Sequence, residues 1–378
     1  MTSDPINSGA KRFAFLLPNL GGGGAERVAL RLIEDSLAAG HEVDLVLSRA
    51  TGELLPLVPQ GVRIVDLGAT RIRSVIAPFR AYLRDRRPDA VHIMMWPLTV
   101  AGIIAARLAR STARIVIAEH TTLGRQYAGS RRNLAALSLT TRLFYPLADA
   151  ILCVSHESAD DLARLSGLDR AGIAVVYNPV AAPPGPVIVP PAIEALWGDD
   201  CARILTVGSL KPVKNHAMLI RAFARLARQR PARLIIVGEG DMRAELARVA
   251  VEEGVADRVV MPGFTLDPWP YYASADLFVL SSNYEGFPLV LIEAMRCGLN
   301  IVSTDCESGP REILVGGDYG ALSAVGDETA LADAMAIMLA HPISPETLKT
   351  RAETLSGLGQ SQRLLDIMLG GQDANAAT

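Results

Sequence analysis

Cysteine is scarce in this chain. The four in 378 residues, Cys153, Cys201, Cys297 and Cys306, show no C-x-x-C spacing, which argues for a reducing compartment and against structural zinc. The six histidines are equally scattered, and no Asp-x-Asp pair occurs. That removes a common carboxylate device for gripping a metal-bound diphosphate, and no metal or other cofactor is expected. Long apolar runs are missing as well. No stretch of about 18 uncharged apolar residues is present, so no membrane-spanning helix is expected. The N-terminus lacks the basic segment and apolar run of a secretory signal. The expected location is therefore cytoplasmic.

Apolar residues are abundant. Half the chain is hydrophobic, enough for two domains of ordinary size and too much for disorder. Only the polar ends, Met1 to Ala10 and Gly370 to Thr378, read as loose. The net charge of −3 conceals an imbalance: residues 1–178 carry +5 and residues 179–378 carry −8. A basic first half suits an anionic ligand or an anionic membrane surface. Simple drift of surface charge gives the same numbers.

The stretch Ser281 to Glu312, SSNYEGFPLVLIEAMRCGLNIVSTDCESGPRE, holds the densest chemistry. The run Leu277 to Leu280 before it reads as a buried parallel strand. A polar turn follows, and Pro288 suits the first position of a helix that ends at Gly298. Asn300 to Thr304 is the next strand. In such sheets ligands bind outside the carboxyl ends of the strands. Glu285 stands at the loop-to-helix junction and Glu293 two turns on. Leu289 and Val290 offer free backbone N–H groups, a site for phosphate. A capped helix with one solvated carboxylate fits the spacing equally well.

Glu285-Gly286-Phe287-Pro288-Leu289-Val290-Leu291-Ile292-Glu293, then Ala294-Met295 and Gly298, resembles the E-x7-E signature of retaining GT-B glycosyltransferases of family 4. Ser308-Gly309-Pro310-Arg311-Glu312 is similar to a segment common there. The resemblance implies an α/β fold: two doubly wound, Rossmann-like domains facing each other across a cleft. The first spans 1–179, with a last helix at about 360–378 crossing back to it. The second spans 180–359 and binds the donor. The missing Asp-x-Asp is the usual metal–nucleotide-sugar motif of the other large glycosyltransferase fold.

Taken in order, Arg12 to Leu17 is a strand, followed by Pro18 to Gly24 and a helix from about Ala25. Its glycines allow close backbone approach, but Glu26 occupies the last glycine position of a dinucleotide fingerprint, and Asp44 lies mid-strand, away from a ribose. The resemblance instead places Gly22 and Gly23 near the donor. Arg71 to Arg87 is basic with apolar residues at helical spacing. It reads as a surface helix packed on its sheet, or as a helix touching membrane. His120 follows the strand Arg114 to Ala118, where the resemblance implies a contact with the donor sugar and where a loop-capping histidine is the plainer reading. Gly124 to Ala148 is basic and helical in pattern, a region that often helps hold the acceptor in the family. Ser155 is a sound N-cap. Asn178-Pro179-Val180 resembles the family's hinge, and the proline-rich Ala181 to Pro191 reads as a linker.

Gly208-Ser209-Leu210-Lys211-Pro212-Val213-Lys214-Asn215 resembles the family's phosphate segment. Lys214 matches the lysine on the pyrophosphate, a task for a point charge. Ser209 stands where the family usually has arginine. Near Gly263 and Phe264 the family sets backbone against the base, and Phe264 is equally a core aromatic. The resemblance thus implies a retaining, metal-independent transfer of a hexose or N-acetylhexosamine from a nucleotide-sugar, with a UDP-sugar expected, to a glycan or lipid-linked acceptor. Glu285 would orient sugar hydroxyls and Glu293 the ribose. Peripheral contact with the inner membrane face is expected, and a nucleic-acid partner is not. A GT-B epimerase or phosphorylase, or a non-catalytic binder of nucleotide-sugar, would share these residues.

Overall fold

Short strands of three to six residues, most of them apolar and buried, build two all-parallel sheets. In the computed structural model, residues 9–183, 185–356 and 358–371 are described. The first sheet comprises β1 (Arg12–Leu17), β2 (Glu42–Leu47), β3 (Arg63–Asp66), β4 (Ala90–Met94), β5 (Arg114–Glu119), β6 (Ala150–Cys153) and β7 (Ile173–Val175), in the order 3-2-1-4-5-6-7. The second comprises β8 (Ala202–Val207), β9 (Ala232–Val237), β10 (Val259–Gly263), β11 (Leu277–Leu280), β12 (Asn300–Thr304) and β13 (Ala321–Ser323), in the order 10-9-8-11-12-13. Each sheet anchors its own compact unit, Met1–Pro179 with Leu358–Thr378, and Val180–Gly357. Both units are thus Rossmann-like α/β domains.

Strand order reverses between β1 and β4 in the first unit, where Leu16 pairs with Ile93, and between β8 and β11 in the second, where Ile204 pairs with Leu277. These are the switch points, and the crevice for a ligand opens beyond the carboxyl ends there. Helices pack the faces. In the second unit the helix His216–Ala227 sets Met218, Leu219 and Phe223 into a core with Ile204, Leu234 and Leu277.

The helix Ile72–Arg86 settles one alternative. Its apolar residues Val75, Phe79, Tyr82 and Leu83 are buried against the first sheet, each contributing about 1.5–3 kcal/mol. The basic segment is a surface helix whose apolar face is already used. Asp44, 2% exposed, accepts from Tyr82 Oη at 2.9 Å and Arg86 Nε at 3.0 Å, so it anchors this helix and is not poised for a ribose. Ser155 caps the helix His156–Ser166, its Oγ accepting from Ser158 N at 3.2 Å.

Four local readings shift. The pattern over 124–148 breaks into helices Leu123–Gln126 and Arg131–Phe144, the second capped by Ser130 Oγ on Asn133 N at 3.3 Å. Pro288 is the N-cap of the helix Leu289–Arg296 and not its first residue. β13 is an unforeseen edge strand, and the proline-rich linker ends in a short helix, Pro191–Trp197. The last helix, Leu358–Met368, belongs to the first unit, where Arg114 Nε donates to Ile367 O at 2.7 Å. Residues 372–378 of the expected segment lie outside the described residues.

Candidate active site

At the switch point of the second sheet, the loops after β8 and β11 meet. Lys214 ends the turn Pro212–Lys214, and its Nζ lies 2.6 Å from Glu285 Oε1. Both side chains are mostly buried, 21% and 12% exposed. Ser282 Oγ donates to the same carboxylate oxygen at 2.6 Å. Backbone ties hold the loops in register: Asn283 N donates to Val213 O at 2.8 Å and Ser281 Oγ to Lys214 O at 2.8 Å. Glu285 itself is braced from behind by the loop after β12, its N–H donating to Glu307 O at 2.7 Å while Ser308 N donates to Glu285 O at 3.2 Å. Ser308 Oγ holds Gly286 O at 2.7 Å.

Gly286 and Phe287 are buried, and Leu289 and Val290 are half-buried at the start of their helix. The first amides of a helix have no partner within it and carry its positive dipole end. Two turns on, Glu293 Oε2 accepts from Tyr272 Oη at 2.7 Å. At the start of the same loop after β8, Gly208 and Ser209 are half-buried beside the Lys214 side chain, with Gly208 N donating to Val237 O at 2.9 Å. Gly238, at φ 146°, lets the neighbouring loop pass so close that a Cβ there would sit 2.0 Å from Gly208 O. Gly263 ends β10 and Phe264 follows it. Burial pushes the Cys306 thiol up to about 12 and the Cys297 thiol up to about 11, so neither presents a thiolate at neutral pH.

The site thus offers one ammonium, a row of backbone amides and two oriented carboxylates. The cation and amides suit phosphate, and the carboxylates suit hydroxyls. Lys214 and Glu285 form a mostly buried ion pair.

The remaining expected residues lie in the first unit. Gly22 (φ 91°) and Gly23 follow β1, and Gly23 is the N-cap of the helix Gly24–Ala38. A Cβ on Gly23 would lie 2.5 Å from Glu26 Oε2. This helix start therefore already faces a carboxylate of its own and is a poorer phosphate cradle than the second-unit helix. His120 turns its ring into a small cavity with Val28, Leu32, His92, Leu152, Val154 and Leu364. Neither ring nitrogen has a hydrogen-bond partner among the described residues, and burial lowers its pKa to about 4. The imidazole is neutral at physiological pH.

Sequence reasoning passed over Ser282, Tyr272 and Glu119. Glu119, 1% exposed at the end of β5, accepts from Trp96 N at 3.0 Å, from Thr99 Oγ1 at 3.3 Å and from Tyr145 Oη. Burial raises its pKa to about 7. Ser282 sits three residues from Glu285, and a serine-rich turn before a carboxylate was a usable signal. Nothing local marks Tyr272 or Tyr145.

Comparison with known proteins covers both units. Residues 194–355 match the model of Glycosyl transferases group 1, and residues 22–182 that of Glycosyltransferase Family 4. The chain is 30% identical over 353 residues to the N-acetylgalactosamine-N,N'-diacetylbacillosaminyl-diphospho-undecaprenol 4-alpha-N-acetylgalactosaminyltransferase of Campylobacter jejuni, covering 91% of this chain and 94% of that one. Among solved structures, the apo lipopolysaccharide outer core galactosyltransferase WaaB superposes with a TM-score of 0.71 at 21% identity, over 95% of this chain and 99% of that one. Anabaena HepE in complex with UDP and glucose gives 0.76 at 20% identity, over 95% and 100%. At such identities the structures show the fold alone.

Proposed function

Because the chain belongs to the group 1 glycosyltransferases of the GT-B fold, and is therefore a glycosyltransferase, we propose that it moves a hexose or N-acetylhexosamine from a UDP-sugar to a glycan or lipid-linked acceptor in the synthesis of bacterial surface polysaccharide or oligosaccharide. The transfer retains anomeric configuration and needs no metal. The enzyme works on the cytoplasmic side, peripheral to the membrane. The Campylobacter relative's name specifies a diphospho-undecaprenol-linked acceptor and a HepE structure holds UDP, which supports these choices of acceptor and donor.

The observation that carries the reading is the Lys214–Glu285 pair, 2.6 Å apart at the second switch point. As the glycosidic bond to phosphate breaks, negative charge grows on the leaving diphosphate. Lys214 and the amides of Leu289 and Val290 stabilise that charge without reorganising, the usual source of large electrostatic catalysis. Positive charge fixed on the protein supplies what a metal would otherwise give. Glu285, released from Lys214, accepts hydrogen bonds from sugar hydroxyls and aligns the ring. Glu293, oriented by Tyr272, holds the ribose hydroxyls. Gly208, Ser209 and Gly263 allow backbone to approach the nucleotide, with Phe264 beside the base.

A thermal-shift series with UDP, GDP, ADP and their sugar conjugates tests the donor. Ligand at a thousandfold its Kd stabilises by about 4 kcal/mol. The expected result is a shift with uridine nucleotides, lost in Lys214→Ala, and a fall of about 10²–10³-fold in kcat for Glu285→Ala and Lys214→Ala. Near-normal turnover in both folded variants would sink the assignment.

A further inference from the structure

Trp96 is held more firmly than a residue at the rim of a core requires. It comes two residues after β4, one of the two strands at the switch point of the first sheet. The backbone before it is strained. Met95 has φ 69°, a left-handed conformation uncommon for a bulky side chain. Such strain persists where the surroundings over-determine it, and it gathers at ligand sites. Hydrogen bonds supply that constraint here. Met95 N donates to Ala118 O at 3.0 Å, and Trp96 N to Glu119 Oε2 at 3.0 Å. At the tip of the side chain, Nε1 donates to Thr140 Oγ1 at 3.0 Å. Thr140 is tied in turn to its own helix, donating to Ala136 O at 2.7 Å.

Backbone and tip are thus fixed, yet the ring is only half-buried. Trp197 shows what a core tryptophan looks like: its Nε1 donates to Ser274 Oγ at 2.9 Å and its ring is wholly enclosed. Beside Trp96 stands a second half-buried ring. Tyr127 closes the short helix Leu123–Gln126, which Gly124 N anchors to Asp161 Oδ2 at 2.7 Å. The centroids of the two rings lie 4.8 Å apart and their planes meet at 77°. Together they make a fixed corner in the segments that follow β4 and β5, at the end of the sheet where a doubly wound domain takes its ligand.

The indole N–H is spent on Thr140, so a ligand meets Trp96 through shape and ring face. That face is electron-rich and attracts weakly positive C–H groups. A pyranose carries such groups on one side of its ring and its hydroxyls around the rim. We propose that Trp96, with Tyr127 beside it, is the platform on which the terminal pyranose of the acceptor stacks. Trp96 is then a specificity-determining residue, admitting sugars that present a C–H face, and Thr140 acts through it as a positioning residue. The choice of a sugar as occupant rests on the glycan acceptor of the proposed function. The corner itself lies wholly in the first unit and uses none of the residues assigned to the donor.

Saturation-transfer NMR on the full chain tests the corner. The probes are the methyl glycosides of galactose, glucose, N-acetylgalactosamine and N-acetylglucosamine, with excess UDP to fill the proposed donor site. The wild type should saturate at least one probe, most strongly on the protons of a single ring face. Trp96→Ala should lower that signal about tenfold, and Trp96→Phe should keep part of it. Thr140→Val leaves the ring intact but untethered, and should spread the saturation over both faces of the sugar. Unchanged melting temperatures show that folding is intact. A signal unaltered in Trp96→Ala overturns the proposal, as does a wild type that saturates none of the probes. Should Trp96→Ala not fold, an unaltered pattern in both Trp96→Phe and Thr140→Val overturns it instead. The donor reading fails separately. A protein that ignores uridine nucleotides in the thermal-shift series, yet loses probe saturation in Trp96→Ala, keeps the corner and sinks the donor assignment. A normal uridine shift without probe saturation does the reverse.

Discussion

Glu119 shows what a single residue can reveal about the first unit. Its carboxyl is fully enclosed, and burial outweighs three hydrogen bonds to raise its pKa to about 7. In the unfolded chain it titrates near about 4.3. Between those values the folded state keeps a proton that the unfolded state has released, so stability falls as pH rises through the window and stays lower above it. The effect is on the order of 3 kcal/mol. Glu119→Gln keeps the acceptor for Trp96 and Tyr145 and removes the ionisation. The variant should therefore melt higher than the wild type at about pH 8 and show a flatter dependence down to about pH 5, read by calorimetry; a lower melting temperature at every pH would refute the account. His92, His120 and His216 act in the opposite sense. Burial lowers them to about 3, 4 and 4, so the stability they contribute is complete above about 6.5 and lost as pH falls toward those values. At this scale the sequence singles out Lys214 and Glu285, 71 residues apart, and the structure sets them 2.6 Å from each other. The sequence is silent about Glu119, because Tyr145 and Trp96 are 26 and 23 residues away and no periodicity connects them.

At the scale of elements, the proposed donor site is a row of strand-end loops leaning on one another. Gly238 is the tightest of these contacts. Alanine there meets both a φ of 146° and an oxygen 2.0 Å from its Cβ, and backbone strain alone costs about 1–3 kcal/mol. The loop Gly208–Leu210 must move to make room. Gly238→Ala should thus lower the melting temperature and also abolish the stabilisation by uridine nucleotides, whereas a variant that melts lower yet responds to UDP normally would show that this loop does not touch the donor. Most strands are legible because short apolar runs bounded by turn residues, such as Phe13 to Leu17 or Leu277 to Leu280, fit a buried strand. β13 escapes notice because three residues, Ala-Leu-Ser, at a sheet edge carry no periodic pattern. The break at 127–130 escapes because a basic, alanine- and leucine-rich stretch has helical propensity throughout, and only tertiary contacts decide where the chain turns.

For the whole molecule, the decisive feature is the helix Leu358–Met368 lying with the first unit after the chain has built the second. Leu364, Leu365, Ile367 and Met368 are at most 4% exposed. At about 1.5–3 kcal/mol each, their burial rivals the roughly 5–15 kcal/mol that holds a domain folded. A chain ending at Ser356 should keep a second unit that melts cooperatively and is stabilised by UDP, while the first unit is cut rapidly by trypsin. Equal protease resistance of both units would contradict this. The two-unit plan is legible from length, paired α/β patterns and the family motifs. The return of the last helix is not, since its apolar spacing marks a helix without saying which sheet it will cover.

That return sets an order of events on the ribosome. Synthesis delivers the first 179 residues long before the segment that completes their core, and the second unit emerges whole in between. The part of the protein that is begun first is therefore finished last. Until the helix Leu358–Met368 emerges, the nascent first unit must wait with part of its apolar surface uncovered, which makes it the part of the chain most exposed to aggregation and most dependent on chaperones during synthesis.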